Sequence, residues 1–568
     1  MKKNYLFTKN FWTVILLTQF LSLFNLNFAN AQNWLWAKST SADINSVVVD
    51  VNGNSYVTGF FRDTVIFGNT TLISAGGSDI FVVKFNDLGL VQWARKAGSI
   101  LNDVGRGIGT DGNGNIYVAG YFSEDYDSGA TASCVFGGST IFSSGETEIF
   151  LAKYDSTGLL KWVRSAGGQG FDYCDALSVD ASGNCFITGS FGYDFYNGFG
   201  GINALFSTVT LAPVGQEDVY VAMYNDAGLL IWTEQGAGAD QARAFSITND
   251  GSGNAFISGV SFGGVVFDGN YLENGYFFAK CNSLGWQWSR GCQSVSGNSF
   301  GISESVDSSG NSYSLGEIDE DAIFGFDTLH IGSNGSNSFI IKYDALGSIE
   351  WAKAIGGNYS FGVNEIHSGL NGNVLLGGAF QDTLLLLNDT LISHGLDDIG
   401  IVEIDSTGNI LNARSVGGIK NDQCVDLAID QIGNLYLIGG FNDTTSVGPF
   451  TFNDTSQISY IAKFGQTINV GAVELNCTEN FINVFPNPSS HVLNIAFSLL
   501  KSDKICIRIY DFTGKLVNEI SEKYFNSGNN LVEWNTTNSK GDPVATGIYS
   551  LRIEAENYFE TKNICITR

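Results

Sequence analysis

Asp111-Gly112-Asn113-Gly114-Asn115-Ile116-Tyr117-Val118-Ala119-Gly120 decides the fold, because the chain writes this frame repeatedly. The pattern Asp-x-x-Gly-Asn-x-aromatic-x-x-Gly returns at Asp50 to Gly59, Asp180 to Gly189, Asp250 to Gly259, Asp307 to Gly316 and Asp430 to Gly439. A worn copy from Gly369 to Gly378 keeps Gly372-Asn373 and loses the Asp and the aromatic residue. Seven units at a spacing of roughly 60 to 70 residues fall in the range of radial or stacked repeat architectures. Within the frame, Asp bonds nearby amides, Gly supplies a positive φ and Asn tolerates the same region. Apolar, β-branched residues flank it, as in Val47-Val48-Val49 and Tyr56-Val57-Thr58, so the frame predicts a β-hairpin. A calcium loop would need a distant bidentate acid, whereas an apolar strand follows at once; turn chemistry accounts for every residue type.

Each unit carries further strands. A lysine-bearing strand recurs (Ile80 to Phe85, Ile149 to Tyr154, Phe339 to Tyr343, Tyr460 to Phe464), followed by a tryptophan strand such as Val91-Gln92-Trp93-Ala94-Arg95 or Leu160-Lys161-Trp162-Val163-Arg164. The last unit lacks its tryptophan strand, while Trp34-Leu35-Trp36-Ala37-Lys38 stands alone ahead of the first unit. A closed ring explains both facts, because the amino-terminal strand can complete the final blade. The expected fold class is therefore all-β, a seven-bladed β-propeller over residues 32–465, whose short strands leave only protected edges. Tryptophan and lysine recur in nearly every unit, which marks them as packing positions between blades rather than ligand contacts.

The ends read differently. Lys2, Lys3 and Lys9 precede an apolar stretch from Phe11 to Phe24, and Ala29-Asn30-Ala31 offers a cleavage site, so residues 1–31 read as a secretory signal peptide. A polar linker spans 466–480. Residues 481–568 hold three of the five prolines, and alternating segments such as Ile505 to Tyr510 predict a small immunoglobulin-like β-sandwich. Nine cysteines are too few for a disulfide scaffold; Cys506 and Cys565 are the one plausible pair, and most others read as buried apolar groups.

The formal charge of −28 argues against nucleic acid and anionic membranes, and no internal apolar run is long enough to span a bilayer after signal cleavage. Four histidines stand in no metal or relay spacing, and no nucleophile-elbow or phosphate-loop motif is present. An acid precedes the hairpin by about eight residues in several units, at Asp43, Asp103, Asp172, Asp240 and Asp422. Two readings stay open: a negative rim around one propeller mouth that binds cations or a cationic partner, or acids that simply cap their loops.

The repeats resemble the β-propeller repeats of secreted bacterial surface proteins. In the tail, Phe485-Pro486-Asn487-Pro488, Asp511 with Gly514 and Lys515, and Gly547 with Tyr549 resemble the carboxy-terminal sorting domain of the type IX secretion system. That resemblance implies recognition by the type IX machinery, export across the outer membrane, removal of the domain, and a secreted or outer-surface location. The expected function is non-enzymatic binding or adhesion to an extracellular glycan or protein, without a cofactor, calcium being the one ion considered. The alternative is a hydrolase or lyase with acids at the propeller mouth.

Overall fold

A computed structural model describes residues 32–124, 133–194, 201–294, 299–325, 327–330, 337–355, 361–369, 372–386, 389–466, 482–485, 489, 492–499, 502–511, 515–525, 528–555 and 558–567. The expected signal peptide lies outside the described residues. So do most of the linker and the motif residues Pro486, Asn487, Pro488 and Gly514. The chain forms two compact units, Met1–Gln466 and Thr467–Arg568.

In the first unit each repeat is a four-stranded antiparallel blade. In blade 1 the strands run Asp43–Val49, Ser55–Phe61, Asp79–Phe85 and Val91–Gly98, paired in that order. The next five blades begin with inner strands Asn102–Thr110, Phe171–Val179, Gln241–Asn249, Ser299–Val306 and Phe361–Ser368. Blade 7 takes three strands from Asp422–Ile429, Leu435–Val447 and Phe450–Gln466, and its fourth is the amino-terminal strand Gln32–Thr40. The lone tryptophan strand at the amino terminus thus closes the ring.

The sequence pattern explains why blades rather than an open sheet form. The second and third strands are apolar on both faces, and both faces are buried. Each face meets the neighbouring blade, so the cores lie between blades. One joins Trp36, Tyr436 and Ile461 to Val47, Val57 and Phe81; the next joins Tyr56, Ile80 and Trp93 to Val118, Phe122 and Phe150. The excursion after the second strand is a hairpin, and it adds hydrogen bonds to the outer strand of the preceding blade, as Val135 with Gly98, Val265 with Gly238 and Ser446 with Gly417 do. Outer edges that would otherwise pair with foreign strands are covered in this way.

The hairpin turns are built as their residues require. Asp111 Oδ1 accepts the amides of Asn113 and Asn115 at 2.8 and 2.9 Å, Asn115 Nδ2 donates to Oδ2 at 2.7 Å, and Gly114 holds φ at 76°. These acceptors are satisfied within the turn, as turn chemistry predicts.

The second unit has two antiparallel sheets around one core. Ile482–Phe485, Leu493–Leu499 and Gly528–Trp534 form one; Leu516–Phe525, Asp503–Tyr510, Gly547–Ala555 and Tyr558–Ile566 form the other. Leu493, Ile507, Trp534 and Leu551 fill the space between them. Asp511 and Lys515 close a turn, each amide bonding the other residue, and Tyr549 donates its hydroxyl to the Ala545 carbonyl at 2.8 Å. The expected disulfide is not made. Cys506 stands opposite Glu554 and Cys565 opposite Ile548, with the strand Gly547–Ala555 between them and six positions of offset along it. Cys134, Cys174, Cys185, Cys281, Cys292 and Cys424 are buried among apolar groups, as expected.

Candidate functional site

The inner strands share one irregularity. Each carries a β-bulge five residues before the hairpin turn, at Asn45, Arg106, Asp175, Phe245, Ile302, Asn364 and Val425. Opposite the bulge stands the last Gly of the repeated frame. A Cβ on Gly120 would lie 2.1 Å from the Val104 carbonyl oxygen, and one on Gly189 would lie 2.1 Å from that of Tyr173. Only glycine lets the bulged strand come that close. A bulge re-aims a side chain out of the ladder, and at several blades the re-aimed residue reaches the neighbouring inner strand. Asn45 Nδ2 donates to the Gly105 carbonyl at 2.8 Å, Asn364 Nδ2 to that of Cys424 at 3.0 Å, and Arg106 Nη2 meets Asp175 Oδ1 at 3.4 Å.

Residues beside the bulges extend the ring of bonds. Ser46 Oγ and the Val47 amide donate to Asp426 at 3.0 and 2.9 Å, Ser258 Oγ to Glu304 at 2.5 Å, and Ser303 Oγ to Glu365 at 2.9 Å. Burial pushes these three carboxyls up, Asp426 to about 6 and Glu304 to about 8, and Asp426 and Glu304 near Glu365 add to its rise.

The proposed acidic rim does not form. Asp103, Asp172 and Asp422 are buried. Asp103 accepts the Ser99 amide at 2.5 Å, the Ser99 hydroxyl at 3.0 Å and the Ser123 amide at 3.0 Å; Asp172 accepts the amides of Gly168 and Gly192, and Asp422 that of Gly418. Burial raises Asp103 to about 7 and Asp422 to about 6, and Asp172, with Glu148 beside it, is pushed well above the carboxylate range. These acids cap their loops from inside. Asp43 is half-buried and raised by burial, an effect that Arg62 partly offsets, and only Asp240 is exposed.

What does open at that mouth is a pocket of about 470 Å³ on blades 2 to 4. Phe171 and Tyr173 share one side of their strand, Phe171 buried behind Tyr173, which is partly exposed, while Asp172 and Cys174 are buried. Tyr173 packs edge-on against Tyr121 at 5.0 Å between centroids and lies nearly parallel to Phe171 at 6.1 Å. Beside these rings runs a chain of charges. Arg106 meets Asp175, and Arg243 Nε donates to Glu217 Oε2 at 2.7 Å, whose other oxygen accepts the Ser190 hydroxyl at 2.6 Å. Burial raises the Asp175 and Glu217 carboxyls; Arg106 and Arg243 pull Asp175 back, and Arg243 does so for Glu217. Two arginines thus face three acids, since Glu124 also lines the pocket and accepts the Tyr173 hydroxyl at 3.5 Å, an excess that disfavours an anion, and the wall offers aromatic faces with fixed donors and acceptors. Such a surface suits a neutral, polyhydroxylated ring. The sequence reading missed it, although one signal was present: the position five before the hairpin varies in chemistry while its surroundings repeat. Among the described residues no group of three or more His, Cys, Asp or Glu side chains is arranged to hold a metal ion.

Residues 483–567 match the family described as the secretion system C-terminal sorting domain, and residues 92–121 match a β-propeller repeat. An uncharacterised WD repeat-containing protein of Acanthamoeba polyphaga mimivirus is 23% identical over 557 residues, which cover 79% of this chain. The chain spans only 40% of that relative's length. Among solved structures, PorZ, a surface component of the type IX secretion system of Porphyromonas gingivalis, is 13% identical, covering 93% of this chain and 82% of its own, at a TM-score of 0.25. Dimeric latent PorU from Porphyromonas gingivalis is 9% identical, covering 94% and 34%, at 0.15. The family matches identify the carboxy-terminal unit as a type IX sorting domain on a chain of propeller repeats, and the protein is secreted or held at the cell surface.

Proposed function

We propose that this exported propeller is a non-enzymatic binding protein whose mouth pocket takes a neutral glycan, while its carboxy-terminal domain is the part that the type IX machinery handles and removes. The observation that supports the reading is the pocket itself: Tyr121 and Tyr173, backed by Phe171, beside Glu124 and the paired charges of Arg106, Asp175, Arg243 and Glu217. Aromatic faces with polar edges on stiff strands are the usual means of holding small ligands. No cofactor enters the proposal. The mature chain, applied to an array of neutral and acidic oligosaccharides and of peptides, should retain neutral glycans; a blank glycan panel would sink the reading.

A hydrolase or lyase is the second reading, and the observation on its side is the raised carboxyls of Glu304, Glu365 and Asp426. Each of the three accepts a serine hydroxyl from the preceding or following inner strand or its neighbour. We therefore assign them to holding blades together.

A further inference from the structure

At the opposite end of the ring, where the hairpin turns gather, the third-strand lysines reach forward to the next blade. Lys153 pairs with Asp226 and Lys463 with Asp87, while Lys342 donates to the Ser406 carbonyl at 3.2 Å and to Glu350 at 2.8 Å. All three lysines are buried, each over a tyrosine ring, Tyr117, Tyr436 or Tyr313. The counter-charge comes from one of two places. It is the second residue of the next blade's turn (Asp226, Asp87) or the residue before the tryptophan (Glu350).

Between blades 1 and 2 both places are neutral, Ser156 and Gln92. Among the described residues Lys84, which lies over Tyr56, donates to the Ser156 carbonyl at 3.4 Å and makes no ion pair with a carboxylate. Asp50, whose charge acts on Lys84, has its oxygens taken by the amides of Asn52 and Asn54, the Asn54 side chain and the Tyr56 hydroxyl. Arg95 stands alongside, and its bonds all go to main-chain carbonyls, those of Gly158, Ala94 and Thr157. A cavity of about 530 Å³ opens where the acid is missing, with Asn54, Thr70, Gln92 and Ser156 adding amides and hydroxyls to its wall. Lys280 has similarly neutral neighbours, Ala345 and Gln287, but the turn there reads Ala345-Leu346 in place of Ser156-Thr157 and brings no hydroxyls.

We propose that this cleft between blades 1 and 2 binds an oxyanion, a carboxylate or a sulfate, carried by an extracellular saccharide or small acid. Lys84 supplies the charge in a half-buried setting where it counts for more than in water, Arg95 a second cation, and the hydroxyls and amides orient the group. The site is separate from the mouth pocket, so its failure would leave the glycan reading untouched.

Calorimetric titration of the mature chain with sodium glucuronate, sodium sulfate and glucose tests it. At least one anion should bind and glucose should not; glucuronate alone identifies a carboxylate ligand, sulfate alone a sulfate ester. K84Q should weaken binding about tenfold or more. S156D restores the acid found at Asp226, so it should abolish binding while leaving the melting temperature unchanged or higher. The proposal is overturned if neither anion binds, if glucose binds as well as glucuronate, or if S156D binds like the parent.

Discussion

Trp36 Nε1 donates to the main-chain carbonyl of Asp87 at 2.9 Å, tying the amino-terminal strand to the turn of blade 1. The same bond recurs around the ring, from Trp93 to Ser156, Trp162 to Asp226 and Trp351 to Ser406, and the Arg or Lys two residues later clamps the same turn. Trp36 is the copy that also closes the ring, because its strand is the fourth of blade 7.

Removing that clamp should open the ring. Trp36 is buried against Phe85 and Tyr436, so W36A should cost about 3–5 kcal/mol, and W36F, which loses chiefly the hydrogen bond, about 1 kcal/mol. Denaturant melts of the mature chain measure both. Equal stability of W36A and the parent would mean that the strand does not hold the ring closed.

The repeated terminal Gly should be the least replaceable residue of the frame. G120A drives a methyl into the Val104 carbonyl and should destabilise by about 1–3 kcal/mol or more. G114A, which has open space but a φ of 76°, should cost about 1 kcal/mol. G138A, with nothing within 4 Å, should be close to neutral. Thermal melts of the three variants give the order directly.

Stability should fall as the pH rises from 5 to 8. Asp103, Asp422, Asp426 and Glu304 are held at about 7, 6, 6 and 8 when folded, above their ordinary unfolded values. Between those limits the folded chain holds more protons than the unfolded one, and stability declines with pH. E304Q should flatten part of this slope, since it keeps the shape without the charge. A melting temperature that climbs toward pH 8, with the same slope in E304Q, would contradict the assignment.

Much of this was legible in the sequence. The Asp-x-x-Gly-Asn turn, the lysine and tryptophan strands and the unpaired strand at the amino terminus are local signals, and each became the element it predicts. The acids were harder. Asp103 and Asp240 look alike in a string, yet one is sealed beneath Ser99 and Ser123 while the other is exposed, and only the packing of loops decides. The bulges were invisible for a related reason, since a bulge is a property of two strands in register, although the Gly opposite each one was on view. The Cys506–Cys565 pairing failed because strand order, which sets an entire strand between them, is not written in their spacing.

The most direct test of the account applies the mature parent chain and its R106Q and Y173A variants side by side to one glycan array. The prediction is retention of neutral oligosaccharides by the parent and loss of about tenfold or more in each variant, with melting temperatures little changed. Retention that is equal in all three chains, or no retained glycan at all, would contradict the claim that the mouth pocket is the binding site.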